Sequence, residues 1–330
     1  MEIHQARFTV LAGGVGAAKF VDGLARVVDP AHLTVIGNTA DDIERHGLWI
    51  SPDLDTMMYT LAGIADPERG WGIAGDTFQA LAELRRWGTA AWFQIGDRDL
   101  ATHLIRTTLR REGRSLTEIT ERLCRHLFVR TRILPVTDDV IWTEVSTPEG
   151  WMHFQEFFVR RACAPEILGV AYRGAERSAP AREVLVALRE ADVVFIAPSN
   201  PVASIGPILS VPGVRETLAD LRAPRIAICP LIGGRSLKGP SDRMMRALGF
   251  ESSVPGVAKF YRRLIDGLVF DRTDAAAQDA VRDAGIEPEI TDTLMSSVEQ
   301  KMNLARTALR VAERMHGHKH RHSRQESIRC

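Results

Sequence analysis

Apolar and polar positions change period along this chain, and the changes mark its elements. Short apolar runs at 8–11, 33–36, 193–197, 225–229 and 268–270 show little polar alternation, as strands covered on both faces do. Between them apolar residues return every three or four positions. This spacing predicts helices over 17–28, 54–62, 76–87, 100–111, 180–190, 213–221, 242–248 and 257–265. Ser51 reads as an N-cap with Pro52 at the first helical position, and Gly63, Gly88 and Gly113 stand where helices stop. Ser115 and Glu118 form a capping box that opens a helix through Leu127. A short strand is expected at 92–95, and a long amphipathic helix at 296–315.

The middle of the chain has a different rhythm. Residues 140–145 and 151–159 flank Thr147-Pro148-Glu149-Gly150 and predict a β-hairpin. Strands alternating with helices on either side imply an α/β fold, Rossmann-like and doubly wound around a mainly parallel sheet. One such domain is expected over 1–315, with 113–175 as a smaller α+β insertion subdomain containing the hairpin. The tail, 316–330, alternates histidine with small or basic residues. It is expected to be a disordered terminus, with adventitious metal binding as the alternative.

Composition narrows the partners. The chain has 330 residues, 45% apolar and 25% charged, enough for a full core. Its net charge of zero provides no general attraction to nucleic acid or an anionic membrane. The longest apolar runs are too short to span a bilayer, and the first residues lack the basic and apolar regions of a signal peptide. A cytoplasmic protein is expected. Cys124, Cys163, Cys229 and Cys330 are too scattered for a metal pair or a disulfide framework.

The candidate chemistry gathers where strands pass into helices. Gly13, Gly14 and Gly16 follow the first strand; they suit either a backbone cradle for phosphate or a plain tight turn. Asn38-Thr39-Ala40-Asp41-Asp42 follows the second strand. Its acids stand where a dinucleotide fold binds ribose, could cap a helix, or, being oxygen-rich and sulfur-free, suit Mg²⁺. Asp53, Asp55 and Thr56 open the next helix, where the helix dipole accounts for one acid more readily than for two. In Gly96-Asp97-Arg98-Asp99-Leu100-Ala101-Thr102-His103, Asp99 and His103 share a helical face, either as an internal pair or as part of a site. Ser199, Asn200 and Ser204 lie in a proline-rich stretch after a buried strand, a ligand-binding position in open α/β sheets unless the stretch is only a linker. His153-Phe154-Gln155 lies on the hairpin, where its aromatic side chain serves the core or packs against a planar ring.

Taken in order, these segments, together with Asp292-Thr293-Leu294-Met295, resemble the 2-phospho-L-lactate transferase family of coenzyme F-420 biosynthesis, whose bacterial members include phosphoenolpyruvate transferases. The likeness runs from about Phe8 to about Met315. It implies an acceptor, FO (7,8-didemethyl-8-hydroxy-5-deazariboflavin), and a donor that is a guanosine diphosphate ester of a three-carbon acid, with GMP released. It also implies Mg²⁺ on Asp41 and a homodimer. Asp55 and Arg98 would lie near the acceptor, Asp55 on the ribityl hydroxyls or as base and Arg98 on the transferred phosphoryl group. Gly13, Gly14, Gly16, Asn38, Asp42, Asp53, Thr56, Asp97, Asp99, Thr102, His103, Ser199, Asn200 and Ser204 would line the substrates. Val15 and Ala17 depart from the family pattern, where threonine and glycine are common. The rival readings are a nucleotide-sugar-binding regulator of the gluconeogenesis-factor family and, on the glycine turn alone, an NAD-dependent dehydrogenase.

Overall fold

The computed structural model describes residues 5–327, with side chains through His316. Strand β1 (Phe8–Ala12) turns at Gly13 into helix α1 (Gly14–Ala25), and β2 (Leu33–Gly37) follows. A small hairpin, β3 (Ile43–Arg45) and β4 (Leu48–Ile50), precedes α2 (Pro52–Leu61). Helices α3 (Gln79–Arg86), α4 (Asp97–Arg111) and α5 (Leu116–His126) lead to strand β5 (Arg132–Pro135). Strands β6 (Trp142–Thr147), β7 (Gly150–His153) and β8 (Gly169–Arg173) make a separate antiparallel sheet. Alternation resumes with α6 (Val184–Arg189), β9 (Val193–Ile196), α7 (Gly206–Ser210), α8 (Val214–Asp220) and β10 (Arg225–Ile228). The two-stranded ribbon β11 (Leu231–Ile232) and β12 (Arg235–Ser236) precedes α9 (Ser241–Ala247) and α10 (Val254–Phe260). The last elements are β13 (Gly267–Asp271), α11 (Gln278–Asp283), β14 (Glu287–Thr291) and α12 (Val298–Ser327).

Seven strands form one parallel sheet in the order β14-β13-β10-β9-β1-β2-β5. The chain builds outward from β1 through β2 to β5, then returns to the other side of β1 with β9. The order therefore reverses between β1 and β9, and the connections leaving their carboxyl ends diverge. A cleft opens there for a physical reason: the two crossovers run to opposite faces of the sheet. The alternation of side chains along β1 supplies both faces. Phe8, Val10 and Ala12 join a core with Ala17, Phe20 and Leu304, whereas Leu11 joins Ile36, Ile196 and Val202 on the other side.

Several local expectations give way to tertiary packing. Residues 92–95 form no strand: they are a loop leading into α4, where Trp92 packs against Phe93 at 5.9 Å and Arg45 at 4.6 Å instead of joining the sheet. The second hairpin strand stops at His153, and Glu156–Arg160 is a π-helical turn. Phe154 and Phe157 are both buried and Phe154 stacks on Phe158 at 5.5 Å, a spacing of three and four that belongs to a helix. The stretch after Ser199 is helical too. Asn200 Oδ1 accepts from the amides of Val202 at 2.9 Å and Ala203 at 3.2 Å, and Pro201 starts the turn that runs into α7. The tail expected to be disordered over 316–330 falls largely on residues whose side chains lie outside those described, and its described backbone continues α12 through Ser327.

Candidate active site

A single cavity of about 850 Å³ occupies the cleft beyond β1 and β9. Gly13 closes the turn between β1 and α1, and its N–H donates to Ser199 Oγ at 3.1 Å, which ties the two diverging connections together. A Cβ at Gly13 would lie 2.6 Å from Asp53 Oδ2 and 2.7 Å from Ser204 Cβ, so only glycine lets α2 and the Ser204 turn approach this closely. Gly14 has φ +76°, a conformation that costs a side-chain-bearing residue energy, and with Gly16 it lines the same wall. The amino end of α1 therefore faces the cavity, with the Gly13 amide engaged by Ser199 and the Gly14 amide by Asp53.

Asp41, Asp53, Asp55 and Thr56 line the cavity, as do Asp99, His103, Ser199, Asn200 and Ser204. The acids do not share one environment. Asp41 is buried, and its Oδ1 has no hydrogen-bond partner. Burial and then the neighbouring Asp53 push its carboxyl well above the usual range, an effect that Asn38 and Thr143 offset only in part. Asp53 is raised to about 6, chiefly by burial, even though Asn38 Nδ2 donates to its Oδ2 at 2.9 Å. Among the described residues neither Asp41 nor Asp53 pairs with a cationic side chain within 4.0 Å.

Asp55 and Asp99 are compensated instead. Arg106, 1% exposed, grips both oxygens of Asp55, with Nη1 3.0 Å from Oδ2 and Nη2 against Oδ1. Arg106 Nη1 also stands 3.1 Å from His103 Nδ1. Arginine can only donate, so Nδ1 accepts and the ring proton sits on Nε2, 3.2 Å from Asp99 Oδ2. Tyr59 donates to Asp99 Oδ1 at 2.7 Å and completes the chain. Burial raises Asp99, but the approach of His103, the bond from Tyr59 and the charge of Arg106 outweigh it and hold the carboxyl below its ordinary value. The sequence reading missed Arg106 and Tyr59. Residues 99, 103 and 106 fall on one helical face, a signal that was present in the pattern.

Other expected site residues stand behind the cavity wall or away from it. Asn38 is wholly buried and supports Asp53 from below. Asp42 turns aside to accept from the Ser51 hydroxyl at 2.6 Å and Trp49 Nε1 at 3.0 Å, and burial lifts it to about 7. Ser51 therefore stands at the cap position of α2 without capping it. Asp97 accepts from the amides of Gln79 at 2.9 Å and Ala80 at 3.0 Å and holds the start of α3. Thr102 lies beside the Tyr59 hydroxyl. Arg98 departs most from expectation: it is exposed, off the cavity, and its Nη1 donates to the Ala74 carbonyl at 3.0 Å. At the start of α4 the helix axis directs position 98 away from the face that carries Asp99 and His103. His153 also lies off the cavity; its Nδ1 accepts from the Gln155 amide and its Nε2 donates to the Asp42 carbonyl at 3.1 Å.

The remaining wall is aromatic and basic. Trp71, Phe93, Phe154 and Phe158 offer flat apolar faces, and Lys19, Arg69 and Lys238 line the same cavity, Arg69 over the Trp71 ring. Among the described residues no three His, Cys, Asp or Glu side chains converge as a metal cage. Asp41 and Asp53 nonetheless fit Mg²⁺, which takes few protein ligands and completes its shell with water and phosphate oxygens. The unpartnered Oδ1 of Asp41, beside a second carboxylate and no cation, is the observation that supports this fit.

Fold and site define a Rossmann-like α/β protein that presents a helix amino terminus and uncompensated carboxylates to one ligand cavity. The model of the family described as 2-phospho-L-lactate transferase CofD matches residues 8–309, and the chain belongs to that family. A phosphoenolpyruvate transferase of Kitasatospora aureofaciens is 44% identical over 319 residues, covering 94% of this chain and 99% of that one. A 2-phospho-L-lactate transferase of Methanosarcina acetivorans is 43% identical over 296 residues, covering 90% and 96%. A crystal structure of a UPF0052 family protein from Bacillus halodurans superposes with a TM-score of 0.61 at 16% identity, covering 92% of this chain and 100% of that one, and shares the fold. Among the described residues no helix is long and apolar enough to cross a membrane.

Proposed function

We propose that this protein transfers a phospho-three-carbon-acid group from a guanosine diphosphate donor to the ribityl hydroxyl of FO and releases GMP. Family membership supplies the class, a transferase of coenzyme F-420 biosynthesis. The carrying observation is the cavity in which the amino end of α1 meets Asp41, whose Oδ1 has no hydrogen-bond partner, and Asp53, which has no cationic partner among the described residues. The terminal ribityl oxygen attacks the phosphorus nearer the acid, the bond to the GMP oxygen breaks, and the hydroxyl proton is lost to the medium.

Phosphoryl transfer of this kind depends on positioning and charge more than on covalent help. Gly13 and Gly14 shape the turn, and the next amides of α1, those of Val15 and Gly16, would present backbone donors to the diphosphate. Asp41, with Asp53 beside it, would hold Mg²⁺, which when bound neutralises the diphosphate and the departing GMP. Asp55 is fixed in orientation by Arg106 and offers its remaining lone pairs to the ribityl hydroxyls; a carboxylate held on both oxygens serves better as an acceptor than as a base. Trp71, Phe93, Phe154 and Phe158 provide surfaces for the planar rings of the two substrates. By the same family resemblance the protein works in the cytoplasm as a homodimer, which sedimentation would check.

The acid carried by the donor is open to direct assay, since relatives of both names match at nearly equal identity. Incubation with FO, Mg²⁺ and each synthetic donor (lactyl, enolpyruvyl or glyceryl), followed by mass analysis, should give one dominant adduct and equimolar GMP. Absence of product with all three donors, from protein that binds FO, would overturn the proposal.

A further inference from the structure

Two lysines from segments remote in sequence approach the glycine turn, and neither has an anionic partner among the described residues. Lys19 lies on α1 just past Gly16 and is half-buried. Helical side chains lean toward the amino end of their own helix, so its amine is carried back over the turn and into the cavity it lines. Lys238 comes from the segment between β12 and α9. Its Nζ donates to the Arg69 carbonyl at 3.1 Å and lies 3.5 Å from the point where a Cβ on Gly70 would be. Val15 Cγ1, on the glycine turn itself, lies 2.8 Å from that same point. Lys238 Nζ and Val15 thus flank the same point beside Gly70, which brings the amine of a remote segment close to the turn.

The charges around them are otherwise settled. Lys301 pairs with Asp22 at 2.8 Å, Arg106 with Asp55, and Arg69 stands 3.6 Å from Asp66. Among the described residues no carboxylate lies within 4.0 Å of Lys19 or Lys238. Lys19 is held below its ordinary value by burial, and after that by the charges of Lys238 and Lys301. Two like charges brought together beside the amino end of α1, one of them half out of water, form an arrangement that an oxyanion stabilises.

We propose that Lys19 and Lys238 form an oxyanion clamp over the Gly13–Gly16 turn, closing on a diphosphate or a carboxylate of the donor. The clamp and the carboxylate wall would divide the work. Asp41 and Asp53 attract the cation that accompanies the diphosphate, and the lysines take up the negative charge that the cation leaves. Lys238 belongs to a segment remote from the turn, so the clamp also ties that segment to an occupied site. The identity of the donor rests on the transferase reading above, whereas the clamp rests on the placement of the two amines.

The test uses the full chain with Lys19→Gln, Lys238→Gln, the double variant and Lys238→Arg, each checked for folding by circular dichroism. Calorimetry would measure inorganic pyrophosphate, GDP and the complete donor, all with Mg²⁺, and fluorescence would measure FO. Each glutamine variant should lose about tenfold in pyrophosphate and GDP affinity and the double variant about a hundredfold, with Lys238→Arg near wild type and FO binding unchanged. If only the complete donor is weakened, the clamp stands and grips the carboxylate. A double variant that binds all three anions as the wild type does would overturn the clamp. Wild-type binding of pyrophosphate without GDP would refute the guanosine donor, and the pyrophosphate series alone would then decide the clamp. Wild-type binding of none of the anions would refute both.

Discussion

The cavity holds its carboxylates in two opposite electrical situations. On one side Asp41 and Asp53 are raised and lack cationic partners; on the other, Asp55 is gripped by Arg106, and Asp99 is held below its ordinary value by His103 and Tyr59. Asp53 and Asp55 are separated by one residue on the same first helical turn. What divides them is the neighbour each faces. Asp53 meets the glycine turn and Asn38, while Asp55, two positions on, points across to α4. An uncompensated acid stores the capacity to bind a cation, and a compensated one provides rigidity.

The comparison is most directly broken at Asp41. Asp41→Asn should lower Mg²⁺-dependent transfer by about a thousandfold or more, yet leave the fold at least as stable, because a buried unpaired charge disappears. Turnover assays with urea unfolding alongside would show both. On the compensated side the expected damage is to the fold. Arg106→Leu leaves Asp55 buried and alone and should cost about 3–5 kcal/mol of stability, and adding Asp55→Leu should restore part of that loss. A double variant no more stable than Arg106→Leu would show that the pair is not coupled as drawn.

Acid should separate the two sides further. Asp53 is protonated below about 6, so Mg²⁺ affinity should fall as pH drops through that value, approaching tenfold per unit on the acid side. The sign for the fold is opposite. Asp42 at about 7 and Asp53 at about 6 titrate above their unfolded values, so the folded state binds more protons between those limits. The metal-free protein should therefore gain stability as pH falls from 8 toward 6, and thermal melts with and without Mg²⁺ would check it. The smallest effect is expected at Arg98, outside the cavity: Arg98→Ala should keep kcat/KM within about threefold. A loss of a hundredfold would return Arg98 to the reaction.

Much of this was legible in the residues. Bare apolar runs alternating with periodic helices announced a doubly wound parallel sheet, and the Ser115–Glu118 capping box makes both of its hydrogen bonds. The segments at strand ends converge on one cleft because a parallel sheet sends every strand-to-helix turn to the same edge. The edge strands β5 (Arg-Ile-Leu-Pro) and β14 (Glu-Pro-Glu-Ile-Thr) escaped, since proline and charge interrupt in each the bare apolar run that marked the central strands. The expected strand at 92–95 failed for the converse reason: the local apolar content was suitable, but its aromatic rings pack within a loop instead of entering the sheet.

The chain's own order of residues was enough to establish the fold class, the glycine turn, the acids at strand ends and the family likeness. All of these depend on periodicity or on residues close together in sequence, and neighbours along a chain are constrained before any packing occurs. The tertiary structure alone decided which acids are neutralised, that Arg98 faces outward while Arg106 faces in, and that Lys238 reaches the turn beside Lys19. Those outcomes depend on distances between segments far apart in sequence, which become defined only when the sheet and its helices close around the cavity.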